Sequence, residues 1–220
     1  MHQTIDPAIL YWGSVVVLIT TENEDGTPNI APMSSAWWLG QRCMLGLAAM
    51  SQTTINLRRT KQCVLNLPSE SLVAHVNKLA KTTGSPELPS FKQEAGYRFV
   101  KDKFAHADLT PQKSEHVTLP RIQECPVQME AQLEGVTEMS KGVDRLEGFI
   151  LGLEVKILKV YAEDRIMMNG SSKKVNADAW RPLIMNFQHF YGLGGRLDPS
   201  RLAEIDEEKY RGLQEDQYDE

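Results

Sequence analysis

The sequence predicts a mainly β protein, an antiparallel β barrel with added helices, on three observations. Stretches rich in β-branched residues recur between turn residues along much of the chain. Two helical segments follow the third and fourth of these stretches, and the alternating strand and helix of a parallel sheet is missing.

Ser14 to Glu22 is the first such stretch. Glu22-Asn23-Glu24-Asp25 and then Gly26-Thr27-Pro28 read as a tight turn, and a second strand is expected from Asn29 through Trp38. Arg42 to Ala49 supplies a third after the break at Gly40, and three strands in close succession suggest an antiparallel meander. Gln52 to Thr60 loses the alternation and opens on Ser51 and Thr53, both good N-cap residues, so a short helix is expected there. Cys63 to Leu67 reads as a buried strand stopped by Pro68. Ser69 is placed to cap the next helix, whose apolar face is Leu72, Val73, Val76, Leu79 and Ala80 and whose end Gly84 can close.

From Ser85 to Pro120 the pattern weakens, with Pro86, Pro89, Pro111 and Pro120 among scattered aromatics, and a loop of that length is usually functional or mobile. Val127 to Met139 and Glu147 to Tyr161 are read as two long paired strands. A last strand at Pro182 to Phe190 leads into the turn Gly192-Leu193-Gly194-Gly195, which opens no helix and is no dinucleotide fingerprint. Residues 1–203 are expected to form one domain and residues 204–220 an acidic tail.

Composition excludes several classes of function. The chain has 220 residues, 41% hydrophobic and 24% charged, as in ordinary globular domains. Between Glu204 and Glu220 eight acidic residues face Lys209 and Arg211, a net of −6 within a total of −5, so the body is near neutral and nothing draws nucleic acid. Val15 to Ile19 is too short to cross a bilayer and follows no basic stretch, so no membrane association and a cytoplasmic location are expected. Cys43, Cys63 and Cys125 stand far apart and are read as buried free thiols. The histidines His2, His75, His106, His116 and His189 show no ligand spacing, so no metal is expected.

Two segments can carry chemistry. Ser51-Gln52-Thr53-Thr54-Ile55-Asn56 offers hydroxyls, side-chain amides and the free N–H groups of a first helical turn, a set of donors that suits a phosphate dianion; the same residues also suit plain helix capping. Pro32-Met33-Ser34-Ser35-Ala36-Trp37-Trp38 interrupts an apolar strand with two serines, whose small side chains let a planar ligand approach the backbone. The tryptophans also suit core packing, and only one of the two is expected to face a ligand.

The order of segments resembles the flavin reductase-like, FMN-binding split-barrel family, which includes flavoredoxins. The resemblance rests on Gly26-Thr27-Pro28-Asn29-Ile30-Ala31-Pro32-Met33-Ser34-Ser35, Ser51-Gln52-Thr53-Thr54-Ile55-Asn56-Leu57 and Val64-Leu65-Asn66-Leu67. Asp102-Lys103-Phe104, Leu109-Thr110 and the run from Pro120 to Val127 continue it, and it covers roughly residues 10 to 200. It implies an antiparallel Greek-key split barrel that dimerises and binds FMN non-covalently near the subunit interface. Ser51 and Thr53 are then expected on the phosphate with Gln52 beside them, Asn56 in support of the loop, and Ser34, Ser35, Ala36 and Trp37 at the ring. Many relatives carry Lys-Asp-Thr where this chain has Ser51-Gln52-Thr53, so here the phosphate depends more on hydroxyls and the helix end.

The activity implied is that of an FMN-dependent oxidoreductase taking hydride from NADH or NADPH and passing electrons to an acceptor, with no catalytic acid or base nominated. The loop from Ser85 to Pro120 is a candidate to cover the open flavin face, and His116 within it is a candidate to contact a nicotinamide or acceptor, although a solvent-exposed or structural histidine is the commoner case. Two alternatives stand beside this activity. One is an FMN-storing or electron-relaying protein without turnover. The other is a pyridoxamine-phosphate oxidase-like enzyme, disfavoured because no Arg and Lys cluster awaits a second phosphate.

Overall fold

The computed structural model describes residues 1–201 and 204–213; the proposed domain boundary at 203 and residues 214–220 of the tail lie outside them. The strands are β1 (Trp12–Val15), β2 (Val17–Glu22), β3 (Pro28–Met33), β4 (Ala36–Leu39), β5 (Arg42–Ala48) and β6 (Gln62–Leu67), then the two-residue β7 (Thr82–Thr83), β8 (Arg98–Phe99), β9 (Pro111–Gln112) and β10 (Arg121–Ile122). The long β11 (Val127–Met139) and β12 (Ile150–Ala162) follow, and β13 (Ile184–Asn186) and β14 (His189–Tyr191) end the series. The helices are α1 (Gln52–Thr60), α2 (Val73–Lys78), α3 (Ser90–Glu94) and α4 (Lys103–His106).

Seven strands form one antiparallel sheet in the order β3-β2-β6-β11-β12-β5-β4. The expected meander is corrected by this order. The single strand expected from Asn29 to Trp38 is broken at Ser34-Ser35, and its halves β3 and β4 lie at opposite edges of the sheet, each paired to its own neighbour. Met33 on β3 and Ala36 and Trp38 on β4 nevertheless pack against one core, built from Val17, Ile19, Leu45, Leu65, Leu133, Leu153 and Val155 among others, so the sheet curls until its edges approach. Register shifts on β11 at Glu130/Ala131 and at Leu133/Gly135 bend the longest strands around that core.

The apolar run of β2 is continuous because both its faces are covered. Val17 and Ile19 face the barrel core, while Leu18 joins Ile30 in a second cluster with Leu72, Val76 and Leu79 around α2 and with Phe104 and Leu109 around α4. Asn66 pins this outer layer. Its Nδ2 donates to the Leu18 carbonyl (3.0 Å), and its Oδ1 accepts the Ile122 N–H (2.9 Å) where the chain returns from the long segment.

That segment is not the structureless loop that its prolines suggested: α3, α4 and the pairs β7–β8 and β9–β10 punctuate it. Gly84 does not close α2, which ends at Lys78; the chain turns at Lys81, whose φ is 53°, and Gly84 lies against Asn29 instead. Ser69 makes no side-chain cap and pairs its hydroxyl with Ser71 (2.7 Å). The last expected strand is a hairpin, β13 and β14, turned at Phe187 (φ 51°) and joined to β1 in a small separate sheet. All three cysteines are free and buried, and burial pushes the Cys43 thiol up to about 12. No described helix is long and apolar enough to cross a membrane.

Candidate functional site

The C-terminal end of β5 brings the two sequence-predicted segments together. Gly46 exchanges backbone contacts with Ser35: its N–H donates to the Ser35 carbonyl (2.8 Å), and the Ser35 hydroxyl donates to the Gly46 carbonyl (2.5 Å). Two residues on, the Ala48 carbonyl accepts the Ser51 N–H (3.0 Å) and the Thr54 hydroxyl (2.9 Å), which seats the start of α1 on the same strand end. A Cβ at Gly46 would lie 3.3 Å from that of Ser35, so the close approach favours glycine there.

At α1, Ser51 is the N-cap in extended conformation (φ −72°, ψ 143°), and its Oγ accepts the Thr54 N–H at 3.2 Å. Because Thr54 gives its own proton to Ala48, the 2.8 Å contact between the Ser51 and Thr54 hydroxyls has Ser51 as donor. Ser51 is thus committed on both counts. Thr53 is different: buried to 2% exposure, its Oγ1 accepts from Asn29 Nδ2 (3.3 Å), and its proton has no acceptor among the described residues. The N–H groups of Gln52 and Thr53 have no acceptor either, as the first turn of a helix requires. Gln52 donates to Asn56 Oδ1 (2.8 Å), and Asn56, fully buried, donates to Thr21 (3.2 Å) and Asn23 (2.9 Å), which ties the helix to the end of β2.

On the other side, Ser34 and Ser35 span the gap between the sheet edges, and the Ser34 hydroxyl has no partner among the described residues. Ala36 and Trp38 turn inward to the core, whereas Trp37 is 56% exposed on the edge strand. The two tryptophans therefore divide as alternation along a strand demands. The buried indole N–H of Trp38 has no acceptor among the described residues.

Sequence reasoning missed a buried polar layer beneath α1. Asn29 bridges Thr53 and Thr21 (3.4 Å), and its Oδ1 is buried without a partner among the described residues. Gly84 packs so closely that a Cβ there would lie 2.6 Å from Asn29 Oδ1 and 3.0 Å from Asn23 Oδ1. The adjoining residue of β3, Ile30, gives its carbonyl to Lys103 Nζ at 2.8 Å. Lys103 is 2% exposed and forms no ion pair among the described residues; burial, with Lys92 adding repulsion, lowers its pKa to about 7. The segment Asp102-Lys103-Phe104 was legible as a motif, but nothing in it announced a buried ammonium.

His116 is exposed, on a stretch anchored to the outer face of the sheet. Val117 and Leu119 pack with Val64 and Leu158, and the buried Glu130 carboxylate accepts the N–H groups of Glu115 (3.0 Å) and His116 (2.5 Å). Burial pushes the Glu130 carboxyl up, but those N–H groups and Arg121 outweigh it and hold its pKa below the usual value. Arg121 lies 3.6 Å from Glu130 and stacks 3.8 Å over the Tyr161 ring. No group of three metal-ligating side chains occurs among the described residues.

Fold and site together define a class of protein: a curled antiparallel barrel in which a helix N-terminus and a serine-lined break in the sheet flank one strand end. The profile of the flavin reductase like domain matches residues 11–180. The uncharacterised protein YdfE of Bacillus subtilis (strain 168) is 38% identical over 200 residues, covering 91% of this chain and 93% of its own. Among solved structures, flavoredoxin of Desulfovibrio vulgaris (Miyazaki F) superposes with a TM-score of 0.73 at 20% identity, covering 92% of this chain and 99% of that one. A protein with a split barrel domain from Shewanella frigidimarina NCIMB 400 does so with a TM-score of 0.67 at 16% identity, covering 86% and 85%. The chain belongs to the flavin reductase-like family, a family of flavin-related oxidoreductases, and its fold is the split barrel.

Proposed function

We propose that this protein is an FMN-dependent oxidoreductase that draws electrons from NADH or NADPH and works as a homodimer. The observation that carries the proposal is the donor set at α1: the N–H groups of Gln52 and Thr53 and the hydroxyl proton of Thr53, none of which has an acceptor among the described residues. Such a set fits a phosphate dianion and fits poorly with any uncharged ligand. The flavin supplies the redox chemistry, accepting hydride and releasing electrons to an acceptor.

This chain's residues bind and orient. Gln52 and Thr53 hold phosphate oxygens at the helix end, while Ser51 serves by shaping the turn through its bond to Thr54. Asn56 and Asn29 keep that turn rigid from beneath. Ser34, Ser35 and Ala36 offer backbone and hydroxyl groups to the polar edge of the ring, and Trp37 offers it an exposed apolar face. The homodimer reading draws on exposed apolar residues, Leu39 on edge strand β4, Val136 and Met139 on β11 and Phe149 before β12.

Freshly purified protein should be yellow, with an absorption band at about 450 nm. Stopped-flow mixing with NADH and then NADPH should bleach that band with one of them. A yellow protein that neither donor bleaches is an electron carrier, and a colourless one that ignores added FMN overturns the reading.

A further inference from the structure

Of the asparagines in this chain only Asn169 is followed by glycine. Glycine has no side chain to crowd its amide nitrogen, so that nitrogen can reach the carboxamide of the residue before it. The structure leaves both reacting groups free. Asn169 and Gly170 are exposed at the tip of a turn between Met167 and Val175, where the Ser171 N–H donates to the Met168 carbonyl (3.0 Å) and Gly170 has a φ of 75°. The neighbours are committed: the Met168 N–H donates to the Lys174 carbonyl (2.9 Å), and the Ser171 Oγ accepts the N–H groups of Lys173 and Lys174 (3.1 Å each). The Asn169 side chain and the Gly170 N–H have no partner among the described residues, and nothing beyond the chain neighbours comes within 4 Å of the point where a Cβ on Gly170 would stand.

Asp25-Gly26 is the contrast within the same chain. It too is an exposed turn with glycine at positive φ (78°), but the Gly26 N–H donates to the Asn23 carbonyl (3.0 Å), and Asp25 Oδ1 accepts the Thr27 N–H (3.1 Å) and hydroxyl (2.6 Å). Nucleophile and electrophile are both occupied there, and at Asn169-Gly170 neither is.

We propose that Asn169 is a site of spontaneous deamidation in the folded protein, and that the product opens the turn walling the cleft beside β12. The Gly170 nitrogen, deprotonated by solvent hydroxide, bonds to Asn169 Cγ; the Cγ–NH2 bond breaks, ammonia leaves, and a cyclic imide closes. Water then adds to one of the two imide carbonyls. Breaking the bond from nitrogen to Cγ leaves aspartate, and breaking the bond from nitrogen to the main-chain carbonyl leaves isoaspartate, with the chain running through Cγ. The balance needs only water and is independent of the flavin reading. Asn169 lines a cleft of about 650 Å³ with Val160 of β12, Asp164, Met168, Lys173 and Val175. Either product brings a negative charge to it. Isoaspartate also adds a methylene to the backbone of a turn held by the Met167–Val175 bridge and the bond from Met168 to Lys174.

Peptide mapping by mass spectrometry of the folded full-length chain, incubated at pH 7 and at pH 9, tests the site. The peptide holding Asn169 should gain the mass difference between an amide and an acid, split into aspartyl and isoaspartyl peaks, and convert faster at pH 9. The other asparagines should keep their amides, and Asp25-Gly26 should stay unchanged. Isoelectric focusing should show the parent band lost to a band more negative by one charge, and Asn169→Gln should keep the parent band. In the isoaspartyl protein the Met168 N–H should exchange with deuterium faster than in fresh protein. Retention of the Asn169 amide in the folded chain overturns the proposal, and its loss from the same chain unfolded in urea would show the turn to be what protects it. An acidic band that persists in Asn169→Gln overturns the assignment to this residue, and unchanged exchange at Met168 overturns the opening of the cleft.

Discussion

Ser51 and Thr53 are two residues apart and carry the same functional group, yet their hydrogen bonds assign them different work. Ser51 both accepts from and donates to Thr54, so Ser51→Ala should cost about 1 kcal/mol in stability through loss of the cap and affect FMN little. Thr53→Ala should do the reverse, weakening FMN while the barrel stays folded, because the hydroxyl proton of Thr53 is the one left for a ligand. Denaturant unfolding and flavin fluorescence titration on each single variant separate the two effects; equal loss of FMN in both would return the segment to the status of a plain cap. Gly84→Ala should destabilise by about 1–3 kcal/mol, since its Cβ meets two buried side-chain oxygens, Asn29 Oδ1 and the Asn23 Oδ1 that accepts from Asn56. Lys103 makes a prediction as well. Its pKa is lowered from the ordinary 10.5 to about 7, so between those values the unfolded chain binds more protons than the folded one. Stability should rise with pH across that window and fall as pH drops through 7, and Lys103→Met should flatten the rise in melts taken from pH 7 to 10.

Elements are held by contacts that cross the sequence, and Glu130 is the clearest case. It anchors the exposed stretch containing Glu115 and His116 through their N–H groups and faces Arg121, itself buried like Glu130. Glu130→Ala should cost about 3–5 kcal/mol because it strands a buried arginine, and hydrogen exchange at residues 114–117 should accelerate. The carboxyl's lowered pKa gives its contribution a pH sign: present above the ordinary carboxylate range and lost as pH falls through the folded value, so Glu130→Gln should blunt the acid limb of the stability curve. The helix α1 was legible to the residue, because Ser51 caps it, and it closes at Lys61 in the left-handed region (φ 61°). The break between β3 and β4 was not. Met33-Ser34-Ser35-Ala36 contains neither glycine nor proline, and what parts the strands is the choice of different pairing partners, β2 and β5, across the sheet.

For the whole molecule, β4 is an edge strand of the sheet and carries the exposed Leu39, while Val136 and Met139 on β11 and Phe149 just before β12 are exposed as well. Sedimentation velocity should find a dimer, and Leu39→Glu should shift it toward monomer without unfolding the barrel.

The sequence by itself determined the mainly β class, both long strands, the bounds of α1, the buried thiols and, through the order of its motifs, the family. Local rules suffice for these, since alternation, caps and turn residues act within a few positions of one another. Only the tertiary structure decided that β3 and β4 stand at opposite edges, that Thr53 rather than Ser51 keeps a free proton, and that Lys103 lies buried beside the strand that holds Thr53. Each of these depends on which surfaces meet after the chain has closed on itself. Burial sets the charge state of a lysine and the partner of a hydroxyl, and burial is a property of the folded whole.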